Sequence, residues 1–130
     1  MIRGRLRQCW PVVATAATVL AAGGCSTLSA TPPTEVPDGD PGRGAQLVTR
    51  YGCGSCHSVP GIRGADGLVG PPLTRFGSRS YIAGKLVNNG TNLEHWIRDP
   101  QEVEPGTAMP DLGVPPDDAK DIAAYLFTLD

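Results

Sequence analysis

Aromatic residues are scarce in this 130-residue chain, with two Trp, three Tyr and two Phe set against 17 Gly and 13 Pro. So few large side chains leave a small domain short of core material, and something besides side chains is expected to fill its centre. No apolar run reaches the roughly 18 residues of a bilayer span, which excludes a folded part that crosses a membrane as helices. Basic residues are few as well. Three of the eleven, Arg3, Arg5 and Arg7, crowd the first seven positions, and the rest of the chain sets eight basic residues against thirteen acidic ones. A balance of −5 argues against nucleic acid as a partner. Only two His occur, and one Met beyond residue 1, so a metal centre has few ligands to choose from.

The residues that are present divide the chain in three. Residues 1–24 join a basic start, a 13-residue apolar stretch from Trp10 to Ala22 and the pair Gly23-Gly24, and read as a secretory signal peptide of the lipoprotein type. An uncleaved anchor helix is the alternative, but 15 residues from Trp10 to Gly24, Pro11 among them, fall short of the roughly 20 a bilayer core takes. Leu20-Ala21-Ala22-Gly23-Gly24-Cys25 resembles a lipobox, in which the Cys is acylated and becomes the first mature residue. It departs from that pattern at Ala22, where the motif usually has Leu, and a plain export signal is the other reading. Cys9 lies inside the signal and leaves with it. Residues 25–41 are then a lipidated Cys and a disordered, Pro-rich tether, able to reach about 50 Å from a membrane surface. The domain proper is 42–130. Its expected location is the outer face of a bacterial cytoplasmic membrane or the periplasm, lipid-anchored through Cys25.

Cys53-Gly54-Ser55-Cys56-His57 is a C-x-x-C-H, and in an exported protein it reads as covalent attachment of one haem c. Two thiols three positions apart can add to the two haem vinyl groups, and the adjacent His57 can then reach the iron. A structural disulfide, a thioredoxin-like redox pair and a zinc site compete with this reading. A disulfide leaves His57 unexplained, and a redox pair follows a strand, whereas a helical pattern precedes this one. Zinc wants four ligands, and the domain offers only Cys53, Cys56, His57 and His95, two of them adjacent in sequence. For the sixth position on iron the candidates are Met109, His95 or none. Met109 sits in Pro105-Gly106-Thr107-Ala108-Met109-Pro110, a stiff loop able to present a thioether, with few of the apolar neighbours that accompany core methionines. His95 lies beside Trp96 in a short helical segment and reads as a surface residue.

Taken together, C-x-x-C-H, Gly70-Pro71-Pro72-Leu73 and Pro-Gly-Thr-Ala-Met-Pro resemble a class I cytochrome c over essentially all of residues 42–130. The resemblance implies an all-α fold of three or more helices around the covalent haem. It implies that Pro71 offers its carbonyl to the second nitrogen of His57, that Thr107 bonds a haem propionate, and that Trp96 packs over the haem near Met109. Arg79 is implied as a further propionate partner. Within the family, Leu93 to Pro100 with the Met109 loop resembles the cytochrome c domain fused to subunit II of bacterial haem-copper oxidases. The copper barrel and membrane helices of those proteins are not in this sequence, so a free-standing tethered relative is expected.

Helical periodicity predicts a first helix over 41–52, capped by Asp40 and begun by Pro41. A second is predicted over 92–99 from a capping box at Thr91-Asn92-Leu93-Glu94, with Pro100 as its stop. A last helix is predicted from Pro115-Pro116, its Asp117, Asp118 and Asp121 complementing the helix dipole and Ala119, Ile122, Ala123 and Leu126 making its buried stripe. The family implies close crossing of the first and last helices at Gly44, Ala45 and Tyr125. The expected function is one-electron transfer with no small-molecule substrate, the redox partner being a terminal oxidase or a quinol–cytochrome c oxidoreductase. An electron-accepting dehydrogenase subunit is the alternative; a haem sensor or peroxidase-like enzyme would need an open sixth position.

Overall fold

The computed structural model describes residues 35–130. The expected signal peptide and lipobox, with Cys25, and residues 26–34 of the expected tether lie outside the described residues. Four helices account for most of the regular structure: α1 (Pro41–Arg50), α2 (Gly90–Arg98), α3 (Pro100–Val103) and α4 (Pro116–Leu126). The all-α expectation holds, with one small addition. Two-residue strands β1 (Tyr81–Ile82) and β2 (Leu86–Val87) pair antiparallel, with Tyr81 opposite Val87 and Ile82 opposite Leu86.

Helix α1 starts where local chemistry says it should. The Asp40 carboxylate accepts from the backbone N–H of Gly42 at 2.8 Å and of Arg43 at 3.0 Å, and Pro41 occupies the first turn, where its missing N–H costs nothing. Gly44, Leu47 and Val48 form its buried face. That face lies on α4, and the approach is close enough that a Cβ on Gly44 would stand 2.0 Å from the carbonyl oxygen of Asp121. Helix α2 lies on α4 as well, through Leu93 and Ile97, so Leu47, Leu93, Ile97, Ile122 and Leu126 meet in one core.

Four expectations read from the sequence are corrected by the structure. Residues 35–40 are not tether: Val36 is 3% exposed, buried against Gly39 and Gly90, because one apolar side chain found a socket that composition alone does not reveal. Helix α2 begins at Gly90 rather than 92. Asn89 caps it by accepting from the N–H of Asn92 at 2.9 Å, so Thr91 lies inside the helix rather than at its cap. Pro100 ends α2 but also opens α3, since a fixed φ and an absent N–H suit a first turn as well as they end a last one. Finally, Asp118 and Asp121 are not free carboxylates at a helix start; both are buried and pair with Arg43.

Candidate functional site

Gly52 adopts φ 68°, a left-handed conformation that turns the chain sharply off the end of α1. A single turn of 3₁₀ helix follows over Cys53–Ser55, closed by Cys56 N–H to Cys53 O at 3.2 Å and His57 N–H to the same oxygen at 3.0 Å. One turn therefore sets Cys53, Cys56 and His57 together. The segment after it folds back on this turn. Gly67 N–H donates to Gly54 O at 3.1 Å and Gly70 N–H to Cys56 O at 2.8 Å. Both thiols are free. Burial pushes the Cys53 thiol up from its ordinary value.

The imidazole of His57 is fixed by its surroundings. Its Nδ1 lies 2.7 Å from the carbonyl oxygen of Pro71. A carbonyl only accepts, so Nδ1 carries the proton and Nε2 keeps its lone pair. Against the same ring lies Gly70, where a Cβ would come within 2.3 Å of His57 Cε1. Nothing larger than glycine fits between the ring and the chain that holds it.

Beside this turn opens a cavity of about 560 Å³, within the roughly 300–1,000 Å³ of cofactor sites. Cys53, Cys56 and His57 line one side, and Met109 lines it from a loop more than fifty residues later. Trp96, half-buried on α2, lines it as well, as do Thr107, Pro71 and Arg79. Thr107 Oγ1 accepts from the N–H of Met109 at 3.4 Å, which leaves the hydroxyl proton to be donated elsewhere. Arg79 donates from Nη2 to the carbonyls of Pro72 and Thr74 and lies over the Phe76 ring. His95 takes no part: it is exposed, does not line the cavity, and places Nε2 3.1 Å from Glu102.

Three residues of the site escaped the sequence reading. Gln101 braces the Met109 loop on three sides: its Nε2 donates to Thr107 O at 2.9 Å and to Met109 O at 3.0 Å, and its Oε1 accepts from Gly106 N–H at 3.1 Å. A glutamine in a helix carries no local signal of such a role. Lys85 and Glu104 both line the cavity and pair at 2.9 Å, joining the β1–β2 turn to the start of the same loop. They are 19 positions apart, and only the fold makes them partners.

This donor set fits a haem. A protonated Nδ1 tied to a carbonyl leaves His57 Nε2 as a ready iron ligand, a thioether lines the same cavity, and two free thiols stand three positions apart beside it. Among the described residues, no group of three or more His, Cys, Asp or Glu is arranged to hold a metal by itself.

Comparison with known proteins agrees. Residues 42–130 match the family model for cytochrome c. The chain is 42% identical over 88 residues to cytochrome c oxidase subunit 2 of Alkalihalophilus pseudofirmus, an alignment covering 67% of this chain and 25% of that protein. A second cytochrome c oxidase subunit 2, from a Bacillus species, is 39% identical over 66 residues, 49% of this chain and 18% of that one. The chain thus spans a quarter or less of the length of these relatives. Cytochrome c of Theileria annulata is matched over 90% of its length, at 33% identity across 107 residues and 73% of this chain. A C-x-x-C-H turn facing a cofactor-sized cavity, over the residues that match the family model, makes the chain a member of the cytochrome c family: an electron carrier with one covalently bound haem c, related to the cytochrome domains of oxidase subunit 2.

Proposed function

We propose that this cytochrome is exported, tethered to the outer face of a bacterial membrane through an acylated Cys25, and that it passes single electrons to a terminal haem-copper oxidase. The observation that carries the reading is the convergence of His57 and Met109 on the cavity that Cys53 and Cys56 also line. When bound, the haem supplies the one-electron couple of its iron, and Met/His ligation tends to raise the potential of that couple. His57 holds its Nδ1 proton on Pro71 and thereby offers Nε2 in one fixed orientation. Met109, its backbone held by Gln101 and Thr107, would supply the other iron ligand and so leave no coordination site for a substrate. Trp96 and Leu73 add apolar surface to the wall of the same cavity.

The rim supports contact with another protein. The five large apolar side chains exposed among the described residues, Leu68, Val69, Tyr81, Val87 and Leu112, gather around this one opening. Val69, Tyr81 and Leu112 line it, Leu68 adjoins Val69, and Val87 stands opposite Tyr81 in the hairpin. Lys85 and Glu104, two of the charged residues there, neutralise each other. Docking is therefore chiefly apolar, and its rate should vary little with salt. With residues 35–40 part of the domain, the spacer from Ser26 to Thr34 spans at most about 30 Å, which keeps the carrier concentrated near membrane partners. Reduced protein added to membranes that contain an active oxidase should be reoxidised rapidly, and cyanide should stop it. Equal rates with and without active oxidase would reject the oxidase as acceptor and favour a dehydrogenase-subunit role.

A further inference from the structure

Tyr51 caps the end of α1 two residues before Cys53 and lines the cavity, yet its hydroxyl is turned outward. It donates to Asp118 Oδ2 on α4 at 2.6 Å. Asp118 is 7% exposed and Asp121, one turn later on the same helix, is 8% exposed. Two carboxylates so placed would be costly without partners. Arg43 reaches across from α1 and donates one nitrogen to each, while Asp121 also accepts from the N–H of Asp40 at 2.8 Å. Arg43 therefore neutralises one of two buried negative charges, and Tyr51, which both bonds Asp118 and lines the cavity, links that carboxylate to the cofactor site. The proton in the Tyr51–Asp118 bond belongs to the phenol. The hydrogen bond to Asp118 raises the Tyr51 pKa above its ordinary value, and the same bond, aided by Arg43, holds Asp118 below its own.

We propose that Arg43, Asp118 and Tyr51 act as one unit that positions the cavity wall beside Cys53 and sets the midpoint potential of the bound haem. Arg43 is the positioning residue that limits how much negative field reaches the cofactor. The inference goes beyond electron carriage and rests on the haem lying in the cavity that Tyr51 lines. Its physical basis is simple. The ferric form carries one more positive charge than the ferrous form, so an uncovered carboxylate nearby favours ferric iron and lowers the potential. A buried carboxylate is screened less than a surface one, which is why this pair matters and the exposed acids do not.

The experiment compares redox titrations and thermal unfolding of the matured holoprotein with those of Arg43→Gln, Asp118→Asn and Tyr51→Phe. Arg43→Gln, which uncovers two carboxylates, should lower the potential, and Asp118→Asn, which removes one, should raise it. Tyr51→Phe withdraws only an O–H donor and should lower it by less than Arg43→Gln does. Opposite signs are the signature, because a wall that is merely loosened would move in one direction for all three. Shifts of the same sign for Arg43→Gln and Asp118→Asn would overturn the proposal, and so would a fall in thermal midpoint with unchanged potentials. If Arg43→Gln fails to mature, Asp118→Asn and Tyr51→Phe are close to isosteric and carry the same comparison. Failure of the haem reading itself would look different, since the wild type would then hold no covalent haem and give no titration.

Discussion

His57 and Met109 owe their arrangement to neighbours that never touch the metal position. Pro71 fixes the tautomer of His57, Gly70 leaves room for its ring, and Gln101 ties the two carbonyls that flank the methionine turn. Met109→Ala should abolish the weak near-infrared sulfur-to-iron band of the ferric protein and lower the potential, and His95→Ala should change neither. Gln101→Ala should act in the same direction as Met109→Ala but weakly. The loss of three hydrogen bonds, worth about 1 kcal/mol each, loosens the loop without removing the sulfur. Optical titration of the band against temperature would check this: in Gln101→Ala it should fade at a lower temperature than in the wild type.

Among the elements, the α1–α4 crossing bears the most weight. A Cβ on Gly44 would meet Asp121 O at 2.0 Å and Tyr125 Cβ at 2.8 Å, and neither helix backbone can yield without shifting the clamp that Arg43 forms on Asp118 and Asp121. Gly44→Ala should therefore destabilise the holoprotein by about 1–3 kcal/mol or more, read as a lower denaturant midpoint. The far end of α4 matters too, since Tyr125 donates to Pro60 O at 2.6 Å and steadies the segment that follows His57. Acid should open the crossing. Asp118 is held below the ordinary carboxylate value of 3.8, first by Tyr51 and then by Arg43. Burial by itself would raise Asp121, but the Asp40 N–H and Arg43 outweigh it and hold Asp121 low as well. A carboxyl with a depressed folded value stabilises fully above its unfolded pKa and loses that stabilisation as pH falls through the folded value. The clamp contribution should thus be intact above about pH 5, start to fall near pH 4 and be lost only as pH drops through the folded values, which lie below 3.8. In Arg43→Gln the thermal midpoint should fall less steeply across that interval.

For the whole molecule the governing fact is a cavity of about 560 Å³ in a domain with few aromatics. Its walls include Leu73 and Phe76 from the hydrophobic core and Trp96 packed against it, and the haem would fill the space they leave. Protein made without haem should lack cooperative thermal unfolding and show a broadened amide spectrum, whereas matured protein should unfold in one transition. Haem should stay with the chain through denaturing electrophoresis. Tethering belongs to this scale as well: Cys25→Ser should release the domain into the soluble exported fraction, and intact mass of the wild type should show acyl chains on Cys25.

Local sequence determined whatever is local in space. Cys53, Cys56 and His57 share one turn of backbone, so their spacing already stated their chemistry, and Asp40-Pro41 announced the start of α1 within a residue. The methionine loop was readable for the same reason, through its own Pro and Gly. Wherever a residue takes its role from a distant partner, only the tertiary structure decided. Val36 looked like tether until it found its socket between Gly39 and Gly90. Asp118 and Asp121 looked like dipole-complementing acids until Arg43, 75 and 78 positions away, was seen to hold them. Gln101 gave no sign, because an amide side chain fits a helix surface equally well whether or not a loop lies across it. Periodicity and capping reach only a few residues along the chain, while burial and ion pairing depend on which surfaces the fold brings face to face.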